Sequence, residues 1–220
     1  MSKQVRVGII GTGGIARFAH IPGYRAQADV EIAAFADVAP GRAAEAAKEF
    51  GVPKAYTDYR EMLAKERLDA VSVCTPNFAH KEATIAALQA GCHVLCEKPI
   101  AMTLQEGQEM VAAARKAGKT LQVGLNSRFS PEALTVKRFV DAGEFGQIYY
   151  GEAVYLRRRG IPNWGVFTRK EMQGGGALID IGVHVLDRTL WLMGNPKPMA
   201  VMGATYANFG KRTDLATPGG

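Results

Sequence analysis

The 220-residue chain has few of the residues that mark specialised architectures. It has three cysteines, Cys74, Cys92 and Cys96, an odd number with no C-x-x-C pair. That excludes a disulfide-dense scaffold and predicts reduced thiols. Its four histidines, His20, His80, His93 and His184, show no metal-ligand spacing, so no metal site is expected. No run of 18 apolar residues exists, which predicts no membrane-spanning helix. The opening MSKQVRVGIIGTGG lacks the apolar stretch and cleavage site of a signal peptide, so a cytoplasmic protein is expected. A G-x-S-x-G nucleophile elbow is missing, which argues against a serine hydrolase. There is no internal repeat and no low-complexity tract. The formal charge is +6, but apart from Arg157-Arg158-Arg159 the basic residues are dispersed. Neither nucleic acid nor a membrane is expected as a partner.

What is present is ordinary globular composition, 47% hydrophobic and 22% charged. Apolar runs at 5–10, 31–36, 70–75, 93–96 and 120–124 read as strands. Between them, 14–26, 42–50, 59–65, 80–90 and 103–117 read as helices, several closed by glycine. This alternation predicts βαβ units around a parallel sheet covered on both faces. The fold class is α/β: a doubly wound six-stranded domain over residues 1–125. An α+β segment follows over 126–220, with strands expected at 147–157 and 196–206 and a helix at 177–193.

Gly11-Thr12-Gly13-Gly14-Ile15-Ala16 fits G-x-G-x-x-G/A. Gly11 permits the tight turn, Gly13 lets a pyrophosphate approach the backbone, and Ala16 packs helix on strand. The following helix start offers free N–H groups to the phosphates. The motif follows one expected strand, and Asp37 closes the next, 21 positions beyond Ala16. A carboxylate there accepts from adenosine ribose hydroxyls and repels a 2′-phosphate. NAD is therefore favoured over NADP, with Arg42 the residue that would favour the phosphate. The bland alternative for Asp37 is a solvated turn residue.

Five segments together resemble the Gfo/Idh/MocA oxidoreductases (glucose–fructose oxidoreductase, inositol dehydrogenase and rhizopine catabolism proteins). They are VGIIGTGGIA with His20, CTPNFAH (74–80), AGCHVLCEKP (90–99), VGLNSRF (123–129) and GGGALIDIGVHVLD (174–187). The resemblance implies an N-terminal Rossmann domain and a C-terminal domain on a mainly antiparallel sheet that mediates homo-oligomer formation. It also implies hydride transfer between a sugar, cyclitol or polyol hydroxyl and nicotinamide, with Lys98, Asp180 and His184 as the catalytic set. Two alternatives use the same scaffold. One is NAD-dependent glycoside cleavage by transient oxidation; the other is a regulator that binds NAD without chemistry. Family members are longer, so a chain ending at Gly220 is expected to lack part of the second domain.

The chemistry asked of that set is simple. A hydroxyl proton must leave, and alkoxide charge must be stabilised. A histidine titrates near neutrality and suits the proton transfer, so His184 is assigned as general base. The Lys98 ammonium supplies the electrostatic part. Asp180, four residues before His184, either orients the imidazole or grips a neighbouring hydroxyl. Taken alone, His184 in its apolar setting reads as a core histidine, and Lys98 as a solvated loop cation. Cofactor contacts are expected from Gly11, Thr12, Gly13, Gly14, Ile15, Asp37, Thr75, Pro76, Asn77, His80, Glu97, Lys98 and Asn126. Substrate contacts are expected from Lys98, Arg128, Trp164, Asp180 and His184. A surface position is the alternative for His80, and Asp187 is expected to serve packing or an ion pair.

Overall fold

Residues 4–158, 160, 162 and 165–208 are described by a computed structural model. The chain divides into two units, one of residues 1–124 and 171–175, the other of 125–170 and 176–220.

The first unit is built on six strands: β1 (Val5–Ile10), β2 (Val30–Ala36), β3 (Lys54–Tyr56), β4 (Ala70–Val73), β5 (His93–Cys96) and β6 (Leu121–Val123). Their order is β3-β2-β1-β4-β5-β6, and every pairing is parallel. This is the doubly wound order whose switch point lies between β1 and β4, outside the carboxyl ends of the strands. Side-chain alternation splits the core in two. Val7, Ile9 and Phe35 join Ala16, Ile21, Ala43 and Ala46 on one face. Ile10, Ala34, Ala36, Val71 and Val73 join Met62, Leu88 and Met110 on the other. Period-two alternation along buried strands requires this.

Helices α1 (Ile21–Arg25), α2 (Arg42–Phe50), α3 (Tyr59–Lys65), α4 (His80–Gln89) and α5 (Leu104–Ala117) cover the sheet. Their ends follow local chemistry. Gly51 and Gly118 adopt the left-handed conformation that closes α2 and α5. The Asp58 carboxylate accepts from the Arg60 amide at 2.8 Å, and the Thr103 hydroxyl accepts from that of Glu106 at 3.2 Å. The helix expected at 14–26 is not uniform. It passes through a π-helical turn, Ala16–His20, before α1. The short strand β3 also lay outside the strands located from sequence. It has three residues, two of them exposed, too few to carry a period. A four-residue helix, α7 (Lys170–Gln173), gives its last three residues to the first unit.

The second unit holds a 3₁₀ turn (Asn126–Phe129), α6 (Pro131–Asp141), a π-helical turn (Leu178–Gly182) and α8 (Val183–Leu192). Helix α6 was not anticipated, although its start is a standard signal. Ser130 Oγ accepts from the Ala133 amide at 3.2 Å and Pro131 occupies the first turn. The strands expected at 147–157 and 196–206 do not form; among the described residues the second unit has no strand. Strand propensity there is real, but a strand needs a partner for its N–H and C=O groups. Tyr149, Leu156, Val201 and Met202 are instead exposed, at 89%, 90%, 90% and 99%.

Candidate dinucleotide and hydroxyl-transfer site

The glycine-rich turn leaves β1 with Gly11 at φ +90°. Its amide donates to the Ala36 carbonyl at 2.7 Å. A Cβ at Gly11 would stand 2.7 Å from the Cys74 carbonyl oxygen, so both angle and space demand glycine. Around Gly13 and Gly14 the space is open, with nothing within 4 Å of a built Cβ. Ala16 is fully buried against the sheet, while Ile15 is 39% exposed. The turn is thus closed on its inner side and open on its outer side, the shape a pyrophosphate needs.

Asp37 is buried behind this turn. Its Oδ2 accepts from the Thr12 amide at 2.8 Å and from the Thr12 hydroxyl at 3.0 Å, and its Oδ1 accepts from the Ala39 amide at 2.9 Å. The Arg42 guanidinium lies 3.9 Å from Oδ2. Asp37 is therefore no solvated turn residue. It bolts the end of β2 to the glycine-rich turn, a role that sequence reasoning missed.

At the carboxyl end of β4, Thr75 Oγ1 is buried and has no hydrogen-bond partner among the described residues. It sits beside Gly11, whose Cβ would come 3.0 Å from the Thr75 amide. An orphaned hydroxyl beside an open backbone cradle fits a bound dinucleotide. Pro76 is exposed beside it. Asn77 faces another way: its amide donates to the Gln173 carbonyl at 3.0 Å and to Gln173 Oε1 at 2.6 Å. Gln173 is itself buried, and the next residue, Gly174, has φ +81° with Met102 Cβ 2.8 Å from where a side chain would begin. Glycine at 174 thus permits a close approach to Met102. Gln173 carried no sequence signal beyond its place before Gly174.

His80 is fully buried, not a surface residue. Its Nδ1 lies 2.8 Å from the Pro99 carbonyl and its Nε2 2.9 Å from the Thr75 carbonyl. Burial pushes the imidazole below its usual range, against the pull of those two carbonyls. Any influence of His80 on a nucleotide therefore runs through the two loops it ties. Glu97 is likewise turned inward, with Oε1 on His20 Nε2 at 2.8 Å and Oε2 on the Lys98 amide at 3.2 Å. Lys98 is half-buried at the end of β5. The cysteines are free and buried, and burial pushes the Cys96 thiol up to about 12, which removes it as a nucleophile.

In the second unit, Asn126 and His184 line one cavity of about 610 Å³, together with Ile181, Arg157 and Arg188. His184 stands in the first turn of α8 and Asp180 in the π-helical turn before it. Single π turns inside helices recur at functional sites. Asn126, assigned from sequence to the cofactor, here shares a cavity with the candidate base. Arg128 makes a two-pronged pair with Asp187, Nε to Oδ2 at 2.6 Å and NH2 to Oδ1 at 2.5 Å. Its guanidinium also lies 5.9 Å from the Trp191 ring centre. It braces the 3₁₀ turn on α8, and Asp187 serves the ion pair expected of it. Trp164 lies outside the described residues. Among the described residues no cluster of histidine, cysteine and carboxylate groups could hold a metal, and no helix is long and apolar enough to cross a membrane.

Residues 5–125 match the model of the oxidoreductase family with an NAD-binding Rossmann fold, and residues 133–217 match the GFO/IDH/MocA C-terminal domain. The chain is 42% identical over 209 residues to D-glucoside 3-dehydrogenase of Escherichia coli, covering 95% of this chain and 60% of that protein. It is 30% identical over 200 residues to scyllo-inositol 2-dehydrogenase (NAD(+)) of Bacillus subtilis, covering 88% of this chain and 55% of that one. Among solved structures, aldose–aldose oxidoreductase from Caulobacter crescentus, complexed with glycerol, superimposes with a TM-score of 0.76 at 28% identity, over 87% of this chain and 58% of that chain. The chain thus spans about three fifths of the length of the relatives it matches. With a 3-2-1-4-5-6 sheet, a glycine turn closed by Asp37 and both domain models matched, the chain belongs to the Gfo/Idh/MocA oxidoreductase family.

Proposed function

We propose that the protein is an NAD-dependent dehydrogenase moving a hydride between a sugar, cyclitol or related polyol hydroxyl and nicotinamide. The observation that carries this reading is the cradle at Gly11–Gly14. It is closed by the Cys74 carbonyl on one side, open on the other, and backed by a buried carboxylate. The sugar and inositol dehydrogenases among its relatives supply the substrate class.

In this reading the amides of Gly13 and Gly14 hold the pyrophosphate, and Thr75 Oγ1 takes up a hydrogen bond it lacks among the described residues. Asp37 has two oxygens with about four acceptor sites, of which Thr12 and Ala39 use three, leaving room for a ribose hydroxyl. That carboxylate, buried and fixed, disfavours a 2′-phosphate, so NAD is preferred over NADP. NAD, when bound, supplies the hydride acceptor. His184 takes the hydroxyl proton in the second-unit cavity, where Asn126 fixes a neighbouring hydroxyl. Asp180 orients the imidazole, and the Lys98 ammonium stabilises charge on the reacting oxygen.

The test is NADH formation by the purified protein from NAD with a panel of inositols, glucosides, anhydrosugars and aldoses. Turnover with one class, lost in Lys98→Ala, is the expected result. Cleavage of an aryl glycoside without net NADH would move the reading to glycoside cleavage. Tight NAD binding with no product from any class would move it to a binding protein.

A further inference from the structure

A chain of buried and half-buried polar side chains in the first unit has no part in the chemistry above. Tyr24 Oη lies 2.7 Å from Ser72 Oγ, Ser72 Oγ lies 3.1 Å from His20 Nδ1, and His20 Nε2 lies 2.8 Å from Glu97 Oε1. The other Glu97 oxygen accepts from the Lys98 amide at 3.2 Å. The four residues come from α1, β4, the π-helical turn and the end of β5. Three are far apart in sequence, so only the folded sheet assembles them.

The donors sort in one direction. An ionised Glu97 can only accept, so His20 Nε2 carries a proton. A neutral imidazole then offers the Nδ1 lone pair, which the Ser72 hydroxyl meets as donor. Ser72 in turn accepts from Tyr24. The tautomer follows from the network, and no atom in it is left unsatisfied. The space is shaped for the carboxylate too: a side chain at Gly124 would begin 3.1 Å from Glu97 Oε1. Burial pushes the Glu97 carboxyl up. The His20 hydrogen bond, with the Lys98 amide and ammonium, outweighs burial and holds it below its ordinary 4.5.

We propose that His20 and Glu97 are positioning residues for Lys98, the Tyr24–Ser72–His20 chain fixing a carboxylate that fixes the Lys98 peptide and interacts with its ammonium. The inference rests on the dehydrogenase reading of Lys98 for its meaning, but its test does not. Each Glu97 oxygen is engaged within the protein, Oε1 by His20 and Oε2 by the Lys98 amide. The other titratable groups that feel Glu97 are Cys74, Cys96 and His80. Burial pushes both thiols up and the His80 imidazole down.

The experiment is acetylation of Lys98 by acetic anhydride at neutral pH, read by peptide mass spectrometry as a ratio to the exposed Lys65 in the same sample. Glu97→Gln removes the anion that holds the ammonium. The Lys98 ratio should rise about threefold once that anion is gone. His20→Ala should raise it in the same direction and less, because an unpartnered buried carboxyl takes up a proton more readily. His20→Gln, which can place an N–H where Nε2 stood, should restore the wild-type ratio. The double variant His20→Ala/Glu97→Gln should add nothing beyond Glu97→Gln. Should His20→Ala not fold, Ser72→Ala removes one hydroxyl from the chain and should shift the ratio the same way. An unchanged ratio in Glu97→Gln, a rise in Glu97→Gln with none in the His20 and Ser72 variants, or an equal rise at both lysines overturns the proposal. Failure of the dehydrogenase reading appears separately, as wild-type protein that forms no NADH.

Discussion

Thr12 and Asp37 are joined twice: one carboxylate oxygen of Asp37 accepts from both the amide and the hydroxyl of Thr12. Both residues are buried. The contact makes the shape of the glycine turn depend on the residue proposed to meet the adenosine ribose. Thr12→Val keeps the amide bond and loses the hydroxyl bond. A hydrogen bond to a charged acceptor is worth about 1.5–3 kcal/mol, so NADH affinity should fall about 10-fold or more. Asp37→Ala loses the ribose acceptor and leaves the turn without its bolt. It should bind NADH and NADPH both poorly rather than switch to NADPH. Titration of cofactor fluorescence with both nucleotides checks this; a clean gain of NADPH binding in Asp37→Ala would contradict it.

Gly11→Ala should be worse still. The residue sits at φ +90°, and the new methyl would meet the Cys74 carbonyl at 2.7 Å. Strain of this kind costs about 1–3 kcal/mol before the clash is counted. A lower melting temperature and no measurable NADH binding are expected. The matching change at Gly13, where nothing lies within 4 Å, should leave stability near wild type and weaken nucleotide binding alone.

His80 predicts a pH effect. Its folded-state value is held below 6.5 by burial, so between the two values the unfolded chain binds more protons. Its contribution to stability is present above pH 6.5 and is lost as the pH falls through the folded value. The wild-type melting temperature should therefore drop between neutral and mildly acidic pH by more than that of His80→Gln. Equal slopes in both proteins would show that the imidazole is already charged between its two carbonyls.

Arg128 separates bracing from substrate binding. Its pair with Asp187 is two-pronged, with side-chain exposures of 31% and 13%. Arg128→Lys cannot make both bonds and should cost roughly 1 kcal/mol after screening. A lower melting temperature with an unchanged KM supports bracing. A raised KM at unchanged stability would return Arg128 to the substrate.

The parts of this molecule legible in the sequence are those where local rules and burial agree. Five strands of the sheet, the glycine turn and Asp37 were all placed by spacing and apolar runs. Residues whose function lies in a distant partner were not legible. Nothing near Gln173 announces Asn77, and nothing near His20 announces Glu97, 77 positions away. Helix α6 had its Ser130-Pro131 start in plain view. The expected strands at 147–157 and 196–206 show the opposite error: propensity was read correctly, but pairing, which propensity does not supply, is missing among the described residues. The π-helical turns at Ala16–His20 and Leu178–Gly182 were also invisible to a 3.6-residue period.

In the proposed reaction the cradle binds NAD, and Lys98 and His184 carry chemistry rather than binding. The most direct measurement takes NADH formation and NADH affinity side by side in wild type, Lys98→Ala and His184→Ala. The account predicts turnover of one polyol class by the wild type, and a loss of about 100-fold or more in kcat in each variant. NADH affinity in His184→Ala should stay at the wild-type value. Variants that turn over at the wild-type rate, or a wild type that binds NAD yet oxidises no member of any class, would contradict it.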